Sequence, residues 1–152
     1  MKNSFFQSPF FLSLTIGVPF CIFKILFGIL TVRVGTTDEN ILLTSMGILV
    51  IIWAAADLIM NLMRATLDLA GYGDRIEFCS LAQAGRIIKA PNVFLAIDTV
   101  ITFSIICYVL WSGWIVQLTR LESYLWYFAT TLNLISLSLV GLLNEMNPVS
   151  EK

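Results

Sequence analysis

Residues 41–68, ILLTSMGILVIIWAAADLIMNLMRATLD, divide into two unlike halves. The first half is an apolar run typical of a membrane-spanning helix. The second half carries polar side chains spaced by four, three and four residues, which a helix places on one face. These side chains are Asp57, Asn61, Arg64 and Asp68, and Ala54 and Gly47 continue the same face. Because such a face is costly in lipid, we expect other helices to pack on it.

The composition is that of a membrane protein. Of 152 residues, 58% are hydrophobic and 12% are charged, whereas about a quarter of the residues of a soluble domain are charged. The apolar residues form long runs, and about 18 such residues can span a bilayer. We therefore predict an all-α integral membrane protein, a four-helix transmembrane bundle forming one domain over residues 1–152. The predicted helices cover about residues 10–32, 41–63 (extending to Leu69 if the polar face continues beyond the membrane), 93–116 and 122–143.

Several functions are excluded by what the sequence lacks. The net charge is −1 and no basic arm is present, so we expect no nucleic-acid partner. The absence of histidine removes His-ligated haem and the Ser-His and Cys-His catalytic pairs. Cys21, Cys79 and Cys107 show neither a CxxC pair nor zinc spacing, and we interpret them as buried free thiols. No nucleotide-binding loop, nucleophile elbow or metalloprotease motif occurs, so we predict no catalytic site, cofactor or metal.

The first apolar run has a signal peptide as its alternative interpretation, because a lysine precedes it. The run is too long for a signal-peptide core and no A-x-A site follows it, which favours a retained helix. Pro19 lies inside this helix and should kink it. The helix also carries one face of mostly small residues, on which a neighbouring helix could approach closely. That face consists of Gly17, Cys21, Lys24, Gly28 and Thr31.

The longest connection, residues 71–92, predicts a short helix between the second and third membrane helices. Asp74 and Glu77 resemble a capping box, and Pro91 marks the end. We expect an interfacial helix over residues 74–89 that lies flat on the membrane. Its apolar side would hold Phe78, Leu81, Ala84, Ile87 and Ile88. Arg75, Arg86 and Lys89 lie on the other side, where they could contact anionic lipid headgroups or simply mark the cytoplasmic side.

Lysine and arginine are distributed unevenly among the loops. Arg33 and Arg120 lie in the two loops on one side of the predicted bundle. Six others belong to the termini and the central loop, namely Lys2, Arg64, Arg75, Arg86, Lys89 and Lys152. Because positive loops stay inside, we predict that both termini and the 64–92 loop are cytoplasmic.

Asp57 and Asp98 are the main candidates for a functional site. On helices with 1.5 Å rise per residue, both lie about 8–10 Å inside the cytoplasmic boundary. Two carboxylates at one depth could share a proton or a cation. Alternatively, both are structural, with Asp57 bound by Asn61, Thr99, Thr102 or Arg64.

Lys24 is the only charged residue within the first apolar run. The rise per residue places it about 10 Å above the aspartates, so pairing with Asp57 would require both side chains to extend. The alternatives are that Lys24 extends to the outer surface or meets Asn133 of the fourth helix.

These observations favour a non-enzymatic, multi-pass membrane subunit or scaffold. It would pack through its polar and small-residue faces against copies of itself or within a larger membrane complex, with the lipid bilayer as its surroundings. The alternative is a small proton- or cation-coupled transporter or channel that uses Asp57 and Asp98. An enzyme acting on lipid at the cytoplasmic interface is the weakest hypothesis, because no base or nucleophile pair is apparent.

Overall fold

The computed structural model describes residues 8–71 and 79–146, and this part of the chain is helical without a strand. Within it, four helices are long and apolar enough to cross a membrane. Helix α1 covers residues 9–37 and helix α2 covers Ile41–Leu69. A short helix α3, Ser80–Ile87, follows. Helix α4 covers Pro91–Trp111, a 3₁₀ turn covers Trp114–Gln117, and helix α5 covers Arg120–Met146.

Helix α1 changes geometry where its proline requires it. An α-helical turn, Pro9–Leu12, leads into a π-helical turn, Ser13–Gly17, and then into the α-helix Val18–Thr37. Proline has no N–H for the hydrogen bond to the fourth residue before it. The N–H of Val18, just before Pro19, donates to the carbonyl of Ser13, five residues back. The helix therefore passes the proline by widening one turn.

Helix α1 is the centre of the bundle. It packs against α2, α4 and α5, whereas those three have few or no close contacts with one another. In an apolar 18-residue window of α1, 44% of the residues are buried, against 17–22% in the corresponding windows of the other three long helices. The polar face of α2 is therefore covered mainly by α1, whereas the long helices α4 and α5 pack on α1 itself.

The α1–α2 pair is an antiparallel hairpin in which small residues bring the backbones together. A Cβ atom added to Gly28 would lie 3.0 Å from the carbonyl oxygen of Gly47. A Cβ on Gly35 would lie 2.6 Å from the backbone nitrogen of Thr44. At the far end, the N–H of Phe10 donates to the Asp68 carboxylate at 2.9 Å. The predicted small-residue face thus packs within the chain, along the length of α2.

The first loop is shorter than predicted. Residues 33–37 are helical, so the connection is reduced to residues 38–40. Arg33 lies at the start of this extra turn, and its guanidinium pairs with Glu122 of α5 at 2.8 Å. The third membrane helix is shorter than predicted and ends at Trp111, because Gly113 adopts the left-handed region with φ +75°.

Helix α3 starts later than the predicted interfacial helix and packs on a neighbouring helix. The proposed capping residues Asp74 and Glu77 lie outside the described residues, and the described helix begins after Cys79, whose Sγ accepts the Ala82 N–H at 3.4 Å. The buried face consists of Cys79, Ala82 and Gly85, and the apolar Ile87 and Ile88 are exposed instead. Gly85 lies against Phe94, so α3 packs antiparallel on α4. Small side chains allow this close approach.

The apolar core lies between α1, α4 and α5. Phe23 of α1 meets Trp126 of α5 edge-to-face, with ring centroids 4.9 Å apart. Leu30 and Val109 are fully buried in the same cluster. In the half of the bundle nearer the start of α1, charged and polar side chains occupy the interior.

Candidate functional site

Lys24, Asp57 and Asp98 form a buried charge cluster, the name used below for these three residues. The Lys24 ammonium donates to Asp57 Oδ2 at 3.0 Å and to Asp98 Oδ1 at 2.5 Å. The three side chains are 1%, 0% and 5% exposed. Lys24 therefore points inward, neither to the outer surface nor to Asn133. With all three groups ionised, the cluster carries one net negative charge.

The direct contact of Lys24 with Asp57 differs from the expected separation of about 10 Å. That estimate measured depth from an α2 helix ending near residue 63. Helix α2 continues to Leu69, which places Asp57 a turn and a half further from the helix end. In the antiparallel hairpin, Lys24 then lies about one turn from Asp57, a distance that its side chain covers.

The start of α3 completes the surroundings of Asp57. Asp57 Oδ1 accepts hydrogen bonds from the Ser80 backbone N–H at 2.7 Å and from the Ser80 hydroxyl at 2.6 Å. The Ser80 Oγ in turn accepts from the Trp53 indole N–H at 2.9 Å. The Trp53 ring also lies under the Lys24 ammonium, 4.4 Å from its centroid, an arrangement that favours a cation.

Ser80 and Trp53 are the residues that sequence reasoning missed. Trp53 lies one turn before Asp57 on the same helix, a spacing that could have placed it beside the carboxylate. Ser80 gave no signal, since the capping box assigned the start of its helix to Asp74 and left Ser80 in the helix interior.

The rest of the predicted polar face of α2 packs on α1. Asn61 Nδ2 donates to the Asp57 carbonyl at 3.0 Å and to Cys21 Sγ at 3.6 Å. Among the described residues, Asn61 Oδ1 has no hydrogen-bond partner, although Asn61 is only 2% exposed. Arg64 is buried one turn further on, and Asp68 caps the start of α1.

A cavity of about 170 Å³ adjoins the charge cluster. It lies between α1, α2, α4 and the start of α3, and all three residues of the charge cluster line it. Asn61, Cys21 and Cys79 provide further polar lining, while Leu12, Ile16, Phe20 and Leu95 form its apolar wall. Across residues 8–71 and 79–146, no three Cys, Asp or Glu side chains come close enough together to hold a metal ion.

Cys79 is less accessible than a loop cysteine would be. The residue is 3% exposed, and burial raises the pKa of its thiol to about 11. The thiol therefore remains protonated at neutral pH and reacts slowly, because the thiolate is the nucleophile.

Other predicted site residues lie away from the charge cluster. Asn133 is buried on α5 and does not line the cavity. Arg86 and Lys89 are exposed near the end of α3, in keeping with a loop surface. Arg75, the third predicted headgroup contact, lies outside the described residues.

Comparison of the chain with protein-family models, curated proteins and solved structures finds no match in any of the three, so no known family's chemistry can be assigned to these residues.

Proposed function

We propose that this chain is a non-enzymatic, multi-pass membrane protein that binds a proton or a cation at the charge cluster and carries it between the two sides. The four long apolar helices suit an integral membrane location. Helix α2 extends to Leu69 and includes the buried Arg64, so Arg64 is not a loop charge. The other charges of the termini and of the connection between α2 and α4 still favour a cytoplasmic location for both termini and that connection.

The observation that carries this proposal is the imbalance of charge next to the cavity. One ammonium faces two carboxylates, and all three side chains are almost fully buried. A buried net charge is costly, and one additional positive charge would remove it. A proton on either aspartate, or a cation beside them, would supply that charge. Titratable groups from every element around the cavity face this site, namely Lys24 and Cys21 of α1, Asp57 of α2, Cys79 before α3 and Asp98 of α4.

The shared lysine offers a way to couple binding to movement. When Asp98 takes up a proton, the ammonium keeps Asp57 as its charged partner, and the contact between α1 and α4 weakens. When Asp57 takes up the proton, the contact between α1 and α2 weakens instead. Occupancy of the site would thereby change how firmly α2 and α4 are each held on α1, which is a differential contact between two states.

Proton and cation flux into liposomes containing the purified chain tests this proposal. We expect Asp98→Asn to insert and melt near normally and to lose flux, since an amide cannot cycle a proton. Glu122→Gln is the matched control, because Glu122 is paired with Arg33 away from the cavity, and it should keep its flux. Flux that persists in Asp98→Asn would refute the carrier.

A second function, that of a subunit or scaffold in a homo- or hetero-oligomeric membrane complex, has one observation in its favour. In the apolar 18-residue windows of α2, α4 and α5, only 17–22% of the residues are buried, so these helices keep faces on which further helices could pack. Extraction in mild detergent and native mass spectrometry distinguish the two functions. A subunit should be recovered with a partner chain or with copies of itself and lose stability when isolated, whereas a carrier should transport alone.

A further inference from the structure

The two aspartates of the charge cluster are bound by different sets of hydrogen-bond donors. Asp57 Oδ2 accepts from the Lys24 ammonium, and Asp57 Oδ1 accepts from both the backbone N–H and the hydroxyl of Ser80. The ammonium and the backbone N–H can only donate. A proton on Asp57 would therefore find no acceptor in these two groups. Hydrogen bonds to a carboxylate favour its charged form, so this set of donors keeps Asp57 ionised.

Trp53 fixes the direction of the Ser80 hydroxyl. The Ser80 Oγ accepts from the Trp53 indole N–H at 2.9 Å and donates to Asp57 Oδ1 at 2.6 Å. Since an indole N–H only donates, the hydroxyl proton cannot point toward Trp53 and is left for the carboxylate. Hydrogen bonds that follow one another in this way strengthen each other in a protein interior. Ser80 is therefore a fixed donor to Asp57.

Within the described residues, Asp98 has fewer strong donors than Asp57 and more contact with the cavity. Its Oδ1 accepts from Lys24, and the thiol of Cys79, a weak donor, provides a further hydrogen bond. The Asp98 side chain is 5% exposed, against 0% for Asp57, and it lines the cavity. The titratable groups that face Asp98 are Lys24 and Cys21 of α1, Asp57 of α2 and Cys79 before α3. Asp98 is thus the more accessible carboxylate and the one held less strongly in its charged form.

We propose that Asp98 is the residue that takes up the proton, and that Ser80 is a positioning residue that keeps Asp57 ionised. The proton forms an O–H bond on the Asp98 carboxylate while the Lys24 ammonium stays charged, and the charge cluster loses its net negative charge. Uptake weakens the contact between α1 and α4, and Asp57 continues to join α1, α2 and the start of α3. This inference rests on the proposed function, since it assigns the proton of that site to one residue.

Carbon NMR of the whole isotope-labelled chain in detergent micelles, recorded as the pH is lowered, tests the assignment. Each side-chain carboxyl resonance is assigned through its own bonds to the backbone amide, so the measurement requires no variant. We expect the Asp98 resonance to move to the position of a carboxylic acid, while the Asp57 resonance stays at that of a carboxylate. Because the two sites interact, the amplitude of each movement identifies the residue that binds the proton. A larger movement at Asp57, or none at either residue before the chain unfolds, would overturn the proposal.

Ser80→Ala tests the positioning role. We expect the ratio of protonated Asp57 to protonated Asp98 to rise about tenfold, because one hydrogen bond to the charged form of Asp57 is lost. Ser80→Thr restores a hydroxyl and should return the ratio toward its native value. Ser104→Ala is the matched control, since Ser104 is an exposed serine of α4 whose hydroxyl donates to the Val100 carbonyl of its own helix. It should leave the ratio unchanged.

Trp53→Phe covers the case in which Ser80→Ala does not fold. It keeps an aromatic ring and loses the indole N–H, so it should raise the same ratio by a smaller factor. An unchanged ratio in the folded variant would overturn the role of Ser80. Proton flux in liposomes from a chain that binds the proton at Asp57 would overturn this inference alone, whereas uptake at Asp98 without any flux would overturn the carrier.

Discussion

Asp57 and Asp98 share one lysine but differ in their other contacts. Asp57 accepts from the lysine on one oxygen and from both the backbone and the hydroxyl of Ser80 on the other. Asp98 of α4 accepts a hydrogen bond from the same lysine. One turn later, the Thr102 hydroxyl donates to the Asp98 backbone carbonyl at 2.9 Å. Asp57 therefore joins three elements, α1, α2 and α3, and Asp98 principally joins two.

Replacing the two aspartates by asparagine should consequently have unequal effects. In Asp57→Asn, the amide oxygen can still accept hydrogen bonds from Ser80. The amide N–H donors then face the Lys24 ammonium, which cannot accept a hydrogen bond. We expect a loss of about 3 kcal/mol or more, typical of removing one partner of a buried ion pair. Asp98→Asn should cost less, because Lys24 retains Asp57. Thermal melts in detergent measure both.

Two further variants separate charge from packing in this experiment. Lys24→Met combined with Asp57→Asn should recover part of the loss, as the uncompensated cation is then absent. Asp38→Asn, exposed in the loop before α2, should leave the melt unchanged. A normal melt for Asp57→Asn would show that the ion pair does not stabilise the fold.

The buried Cys79 thiol should make the free energy of unfolding depend on pH in the alkaline range. Burial raises its pKa from 9.0 to about 11, so the unfolded chain loses this proton first as the pH increases. The contribution is fully present below pH 9 and is lost as the pH rises through about 11. We expect the native chain to lose more stability between these values than Cys79→Ala does. Melts at stepped pH test this, with Cys107→Ala, an exposed cysteine, as control, and identical slopes for all three would contradict it.

Among the elements, the α1–α2 hairpin has the tightest backbone contact. A Cβ atom on Gly47 would lie 2.8 Å from both the Gly28 carbonyl oxygen and the Val32 nitrogen. Backbone atoms cannot rotate away, so Gly47→Ala should cost about 1–3 kcal/mol, as overpacking does. Gly141→Ala, with open space around its position on α5, should be neutral or stabilising. Denaturant unfolding of both variants measures the difference in their free energies of unfolding. Equal stability would show that the α1–α2 hairpin can separate at little cost.

The sequence predicted the presence of the long helices well, and their partners poorly. Apolar runs set the helix count, and glycine spacing on the first helix identified the face that meets α2. Periodicity identifies a face but not which element covers it. Leu30 shows this, since it lies off the glycine face and yet is fully buried against α4 and α5. The position of α3 was missed for a related reason, because its packing face consists of small residues and its apolar residues are exposed.

The site was predictable in its carboxylates and not in its geometry. Intramembrane charges are rare enough to be noticed singly, and Asp57, Asp98 and Lys24 were identified in this way. Their meeting depends on the register of the α1–α2 hairpin and on the approach of α3 to α2. Both depend on contacts between residues distant in the chain, such as Lys24 and Asp98, which are 74 positions apart.

At the scale of the whole molecule, the orientation in the membrane is open to direct test. The buried Cys79 is poorly suited to labelling, so exposed positions on opposite sides are required. In a Cys107→Ser background, Asp38→Cys should react with an impermeant maleimide applied outside intact cells, and Ala84→Cys should react only after permeabilisation. Both positions are exposed. The reverse pattern would invert the predicted orientation.

The central position of α1 also affects how the chain is made. The ribosome releases α1 before α2, α4 and α5, the described helices that pack on it. Lys24 precedes Asp57 by 33 residues and Asp98 by 74. Synthesis proceeds at roughly 5–20 residues per second, so Asp57 is made about two to seven seconds after Lys24, and Asp98 is made later still. During that interval, the insertion machinery holds a helix with an unpaired charge, and slow translation after residue 37 would prolong its exposure to quality-control proteases.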